Sequence, residues 1–194
     1  MIGSNEHEKL NMKQVNLSLY KPSRLLMKKN VVTAVIWELL NISIFMNRLV
    51  IWNSPKRTVL RLFGAEIGKG VVIKQGVNIK YPWKLKIGDH SWIGEGVWID
   101  NIEWVEIGSS VCISQGAYLC TGNHDWSKPD FPLIAKPIHA GDGVWVGAKS
   151  IIGPGIRLGE RSVVTAGSVV TRDTEPDKIY QGNPAVCVKE RRIE

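Results

Sequence analysis

Apolar residues follow one rule up to Phe63 and another after it. Between Arg24 and Phe63 they recur at helical spacing, with Leu25, Val32, Ile36, Leu39 and Leu40 near one face. A second helix start stands at Ser54, Pro55 and Lys56, where serine can cap and proline suits the first turn, and Gly64 can end that helix. Past Gly64, aliphatic residues recur at every sixth position: Ile67, Ile73, Ile79; Ile87, Ile93, Ile99; Ile107, Ile113, Leu119; Ala140, Val146, Ile152; Leu158, Val164, Val170. That period belongs to neither a helix nor a plain strand.

The residue after the aliphatic one is glycine in eight of these fifteen hexads, and the residue four on is usually small, as in Val71, Ser91, Val111, Ser150, Ser162 and Ser168. Each hexad reads as a short strand with its aliphatic residue inward and a small or φ-permissive residue where the chain turns. Three hexads then make one coil of a triangular prism, and coils stack about 4.8 Å apart through strand hydrogen bonds. The spacing predicts a mainly β fold, a parallel β-helix of about five coils behind an N-terminal helical segment, with domains at 1–63 and 64–194.

Coil starts lie 20, 20, 33 and 18 residues apart, and all of the excess falls at one corner, after the third face. The longest excursion runs from Asp125 to His139, ahead of the last coils and the C-terminal tail. Long insertions on a rigid solenoid are where function concentrates. At the same corner Trp83, Glu103 and Asn123 replace the small residue of the hexad.

Composition adds three constraints. The chain has 194 residues, 44% of them hydrophobic, which excludes a disordered polymer and allows one domain with a small appendage. Its formal charge of +7 is confined to the first 63 residues, with ten basic against three acidic side chains, while Gly64 to Glu194 carries fifteen of each. The odd set Cys112, Cys120 and Cys187, with a polar start that does not read as a signal peptide, points to a reduced, cytosolic protein. The apolar run Val31 to Met46, interrupted by Glu38, falls short of the roughly 18 to 20 residues that span a bilayer. Six of the eight tryptophans, Trp83, Trp92, Trp98, Trp104, Trp126 and Trp145, belong to the repeats. A prism filled by aliphatics has no room for six indoles, so most must face outward, into subunit contacts or a substrate cleft.

The hexads, and the runs KQGVNIKYPWKLKIGDHSWIGEGVWIDN, ISQGAYLCTGNHDW, GPGIRLGERSVVTAGSVVTRD and QGNPA, resemble the hexapeptide-repeat acyltransferases. More narrowly they resemble the colanic-acid-type exopolysaccharide O-acetyltransferases, relatives of the maltose and galactoside acetyltransferases. The resemblance runs from about Ser18 to Val188 and is most specific at Thr121 to Trp126. It implies a left-handed helix, an exception to the right-handed crossover rule. It also implies a homotrimer with active sites between neighbouring prisms, and direct attack of a sugar hydroxyl on acetyl-CoA with no metal.

In this family the base is the histidine that follows the third-face strand at the long insertion, here His124. The chemistry agrees, since a sugar hydroxyl is a poor nucleophile and an imidazole can take its proton as it attacks a thioester. The other nitrogen needs a partner, either Asp125 or a backbone carbonyl. His7, His90 and His139 read as surface or structural residues. Asp100, Asn101, Asn123, Asp125 and Trp126 are candidate acceptor contacts. For CoA the resemblance points to Trp145 beside the thiol end, Ala148 and Ala166 along the pantetheine arm, and Thr171 with Arg172 near the 3′-phosphate. The arginine that galactoside enzymes carry after the closing proline is Val186 here, leaving Lys189, Arg191 or Arg192 as substitutes.

Three other functions compete. A zinc carbonic anhydrase of this shape needs converging histidines, including a pair five apart, and no two histidines here have that spacing. A non-catalytic scaffold would have no use for the Asn123, His124, Asp125 triplet beside a long insertion. An acetyltransferase for a drug or an amino sugar nucleotide is the nearest competitor. The expected partners are a sugar or lipid-linked glycan acceptor and no nucleic acid. The basic first third, with Lys28, Lys29, Arg48, Lys56, Arg57 and Arg61 bracketing apolar helices, suits an anionic membrane surface; in the other reading the helices cap the prism's open end and the basic residues are solvated.

Overall fold

In a computed structural model the chain is described over residues 14–21 and 29–193. From Glu66 onward short parallel strands form three sheets, one on each face of a prism. The first face carries Glu66–Ile67, Leu85–Ile87, Val105–Ile107, Ile138–Ala140 and Arg157–Leu158. The second carries Val72–Ile73, Trp92–Ile93, Cys112–Ile113, Trp145–Val146 and Val163–Val164, and is closed by an antiparallel hairpin of Lys178–Gly182 and Ala185–Glu190. The third carries Asn78–Ile79, Trp98–Asp100, Tyr118–Cys120, Ile151–Ile152 and Val169–Val170. Register follows the sixfold period, with Ile67 beside Ile87, Ile87 beside Ile107, Ala140 beside Leu158 and Ile152 beside Val170. A sixth, partial coil follows the expected five: Thr174 bridges Leu158, and Ile179 and Tyr180 pair with Val163 and Val164. Its spacing shrinks from 18 to 16 residues and its inward residues are Thr174 and Tyr180, so the aliphatic period does not reveal it.

Two positions fill the core in every hexad but those of Glu103 and Asn123, where the second position is not buried. The register aliphatics are buried, as are the residues four on at Val71, Val77, Val97, Ser91, Ser150, Ser162 and Ser168. A buried hydroxyl needs a partner. Ser91 Oγ donates to Gly108 O at 2.7 Å and Ser150 Oγ to Thr165 O at 2.9 Å, stitching one coil to the next.

The glycine after the register residue serves a purpose other than turning. Left-handed backbone falls two residues later, where Lys149 (φ 57°) and Arg161 (φ 56°) adopt it despite their side chains. A Cβ on Gly88 would lie 2.6 Å from the carbonyl carbon of Gly108, and one on Gly94 2.8 Å from Ile113 O. Adjacent coils therefore approach too closely there for any side chain.

The N-terminal segment caps the open end. Helix α1, Val31–Leu40, is capped by Asn30, runs on into a wider turn over Asn41–Phe45, and presents Trp37 and Phe45 to the core. Helix α2, Asn53–Leu62, starts one residue before the expected Ser54, with Trp52 at its N-cap and no side-chain cap. It ends at Gly64 (φ 95°), as expected. The residues from Arg24 to Lys28 lie outside the described ones.

A first coil has no coil before it, so its outward polar groups must find other partners. Asn53 Oδ1 accepts from Ile73 N at 2.6 Å, and Trp37 Nε1 donates to Ile79 O at 2.9 Å. The Lys56 amine, fully buried, donates to Ile73 O at 3.1 Å and Lys74 O at 3.0 Å. Arg57 donates to Val71 O at 2.8 Å, and Arg61 to Ile67 O at 2.7 Å and Gly68 O at 3.1 Å. Three of the six cations assigned to a membrane or to solvent thus act as edge caps. Burial pushes the Lys56 amine below the ordinary lysine range, and the Lys74 charge adds to that shift.

Lys56→Met is expected to leave those two carbonyls without a partner and to lower stability by about 1 to 3 kcal/mol. Urea denaturation of the purified chain reads this directly, and an unchanged midpoint would show that the cap does not depend on the amine.

Candidate active site

The corner insertion is a hairpin rather than an open loop. Gly122–His124 pairs antiparallel with Leu133–Ala135, so the chain leaves the prism at Gly122, ahead of the expected Asp125, and Ile138–Ala140 already belongs to the first face. The hairpin holds the His124 ring in two ways. Nδ1 lies 2.8 Å from Phe131 O, and the Phe131 ring stacks on the imidazole at 4.4 Å and 7°. A carbonyl can only accept, so Nδ1 carries the proton and the neutral ring keeps its lone pair on Nε2. Of the two orienting partners left open by the sequence, the structure has the backbone carbonyl.

His124 lines a cleft of about 440 Å³ together with Tyr20, Lys80, Asp100, Tyr118, Cys120 and Asn123. Lys80, Asp100 and Cys120 hold one position in successive coils, 20 residues apart, and so form a column up the third face. Asp100 pairs with Lys80 Nζ at 2.9 Å and accepts from Tyr118 OH at 3.1 Å. Burial pushes the Tyr118 phenol up, and the Cys120 thiol and Asp100 carboxylate add to the shift, so it remains a donor. The spacing of 20 could have revealed Lys80. Tyr20 could not have been found that way. It arrives from a short 3₁₀ turn, Leu17–Leu19, pinned to the insertion by Asn16 N donating to Pro129 O at 2.8 Å, which puts its ring 5.8 Å from that of His124.

The other expected acceptor contacts divide. Asn123 lines the cleft, with its Oδ1 accepting from His124 N at 2.8 Å. Asn101 does not reach it: fully buried, it donates to Tyr81 O and Lys84 O and accepts from Tyr81 N, holding the turn that precedes Leu85. Asp125 belongs to the hairpin turn, accepting from Ser127 Oγ at 2.5 Å and pairing with Lys128 at 3.4 Å. The Ser127 hydroxyl, with help from Lys128, holds its carboxyl below the usual range. Trp126 is 77% exposed and lies outside the cleft lining.

A second, apolar groove of about 290 Å³ lies where the second face meets the third. It is lined by Ser114, Gln115, Trp145, Gly147, Ala148 and the run Val163, Val164, Thr165, Ala166. This gathers Trp145, Ala148 and Ala166, and Trp145 Nε1 donates to Ser114 Oγ at 2.9 Å. Thr171 and Arg172 are exposed and do not line this groove. Arg191 is committed to the fold, with Nη1 donating to Gly143 O at 2.9 Å and Arg161 O at 2.8 Å. Lys189 and Arg192, both exposed, line a shallow hollow in the tail. The groove and the His124 cleft share no residue within one chain.

Known proteins bear on this geometry. The family described as the hexapeptide repeat of succinyl-transferase matches residues 137–172. The putative colanic acid biosynthesis acetyltransferase WcaF of Escherichia coli is 38% identical over 162 residues, covering 84% of this chain and 89% of that protein. Galactoside O-acetyltransferase of Escherichia coli is 28% identical over 138 residues, covering 70% and 68%. Among solved structures, a hexapeptide-repeat acetyltransferase of Vibrio cholerae complexed with acetyl coenzyme A superimposes with a TM-score of 0.74 at 25% identity, over 84% of this chain and 88% of that one. A maltose O-acetyltransferase of Clostridium difficile gives 0.71 at 26% identity, over 90% and 92%. The sixfold core, the hairpin that carries His124 and the likeness to WcaF along most of both chains lead to one conclusion: this chain belongs to the hexapeptide-repeat acetyltransferases.

Proposed function

We propose that the chain transfers acetyl from acetyl-CoA to a sugar hydroxyl, on a free or lipid-linked glycan of bacterial exopolysaccharide synthesis, with His124 as general base. The observation that carries this is the Nδ1 contact to Phe131 O at 2.8 Å, which leaves Nε2 able to accept a proton in a cleft lined by polar groups. As the acceptor oxygen attacks the acetyl carbonyl, its proton passes to Nε2. The C–S bond then breaks and the proton held at Nε2 passes to the CoA thiolate, which restores the base. The Lys80–Asp100–Tyr118 column offers the acceptor fixed hydrogen-bonding groups. Acetyl-CoA would lie along the groove of Trp145, Ala148 and Ala166, with Arg172 meeting the 3′-phosphate. This reading places the protein in the cytoplasm, at the inner face of the plasma membrane when the acceptor is lipid-linked.

A homotrimer is part of the reading. Groove and cleft are separate in one chain, and Trp92, Trp98 and Trp145 are exposed on the second and third faces. A neighbouring copy would bring one chain's groove to another's His124 and cover those indoles. Sedimentation is expected to give a trimer, and a monomer at micromolar concentration would refute it.

His124→Ala is expected to lower the transfer rate by roughly 10²- to 10⁴-fold with little change in acetyl-CoA affinity. Retention of more than about a third of turnover where chemistry limits the rate would reject the base. Arg172→Ala is expected to weaken CoA more than dephospho-CoA, by about 1.5 to 3 kcal/mol. Equal losses for the two ligands in calorimetric titrations would remove the phosphate contact.

A further inference from the structure

Helix α1 is apolar nearly all round, and only one side of it is used by the prism. Trp37 faces inward, fully buried, with Phe45 of the following turn beside it. On the other side Val31, Val35, Leu39, Val32 and Ile36 are all exposed and cover an arc of about 140° at helical spacing. Further exposed apolar residues follow in the chain, Ile42, Met46, Leu49, Ile51 and Trp52, with Leu49 83% and Trp52 66% exposed. A helix apolar on both sides is normally buried on both. Among the described residues nothing covers this one.

We propose that this face inserts into the interfacial zone of an anionic membrane, with α1 lying in the plane of the surface and Leu49 and Trp52 entering the acyl boundary. Charge selects this occupant. Exposed Lys29 stands just ahead of α1, exposed Arg48 lies between Met46 and Leu49, and Glu38, at the edge of the α1 face, is the sole acidic residue between positions 14 and 63. An apolar surface interspersed with cations matches anionic headgroups over hydrocarbon. The same patch on a second copy, paired about a twofold axis, would set like charges against each other. Among the described residues no helix is long and apolar enough to cross a membrane, so the contact is one of surface insertion.

This changes the mode of binding expected from charge alone. Lys56, Arg57 and Arg61 donate to carbonyls of the first coil and are not free to hold a surface. Apolar insertion must then carry most of the binding, and it is screened far less by salt than paired surface charges are. The inference deepens the membrane location given above. It rests on the cap alone, so it stands or falls independently of His124 and of acyl transfer.

Vesicle flotation of the full chain tests it, using phosphatidylcholine alone and phosphatidylcholine with about 30% phosphatidylglycerol, at about 0.1 and 0.5 M salt. The expected result is flotation with the anionic vesicles that keeps at least about half its amplitude at the higher salt. The double variant Val35→Asp, Leu39→Asp is expected to lose binding by about tenfold or more while keeping the wild-type circular dichroism spectrum and melting curve. Should that variant fail to fold, quenching by lipids brominated in the acyl chain is read instead, where Trp52→Phe is expected to remove the largest share. Any of four results overturns the proposal: no flotation, flotation abolished at the higher salt, a folded double variant that floats like wild type, or quenching unaffected by Trp52→Phe. A wild-type assembly larger than a trimer that the double variant dissolves, with no vesicle binding, would overturn it in favour of a second copy on this face.

Discussion

Each inner coil of this prism satisfies its backbone through the coil above and the coil below. Gly88 N donates to Ile107 O at 2.8 Å and Gly108 N to Ala140 O at 2.9 Å, and the same pattern repeats along the stack. Such a ladder has two ends that cannot satisfy themselves. At one end α2 supplies a buried amine, two guanidiniums and an asparagine to the unpaired groups of the first coil. At the other, Lys178–Gly182 adds to the second face and folds back through Ala185–Glu190, with Arg191 tying the tail to Gly143 and Arg161. Side chains cap the start, whereas main-chain pairing with one added guanidinium caps the finish.

The same ladder forces chemistry to the outside. The interior admits two side chains per hexad, and where coils meet most closely it admits none, as at Gly88 and Gly94. Five of the six repeat indoles are accordingly exposed, and only Trp83 is buried, stacked on Tyr81 at 5.0 Å. The cleft is assembled from outward third-face residues, from a hairpin that leaves the prism at one corner, and from an N-terminal turn that reaches across to it.

What the sequence revealed divides along the same line. Sixfold spacing is a property of the prism wall, so the faces, the register and the corner of the insertion were legible from Ile67 to Val170. Residues that act across the wall were not. Nothing about Lys56 marks it as a cap for carbonyls 17 and 18 positions on, and it reads equally well as a surface cation. Asn101 looked like a cleft residue because it follows Asp100, yet successive strand residues point to opposite sides, and it is Asp100 that faces out. Tyr20 lies 104 positions from His124 and shares no period with it. The sixth coil was missed because its spacing and its inward residues both depart from the rule.

The Phe131 carbonyl has a consequence for how such an imidazole can be altered. A carboxylate partner can be deleted by changing one side chain, but a main-chain oxygen is present whatever residue occupies position 131. The ring's tautomer is thus written in the path of the hairpin, through the pairing of His124 with Leu133 and the left-handed turn at Phe131 (φ 46°). A scan of single substitutions for a second member of a dyad would find none. Insertions and deletions between Asp125 and Pro132, which change that path, are the changes to which the ring is vulnerable.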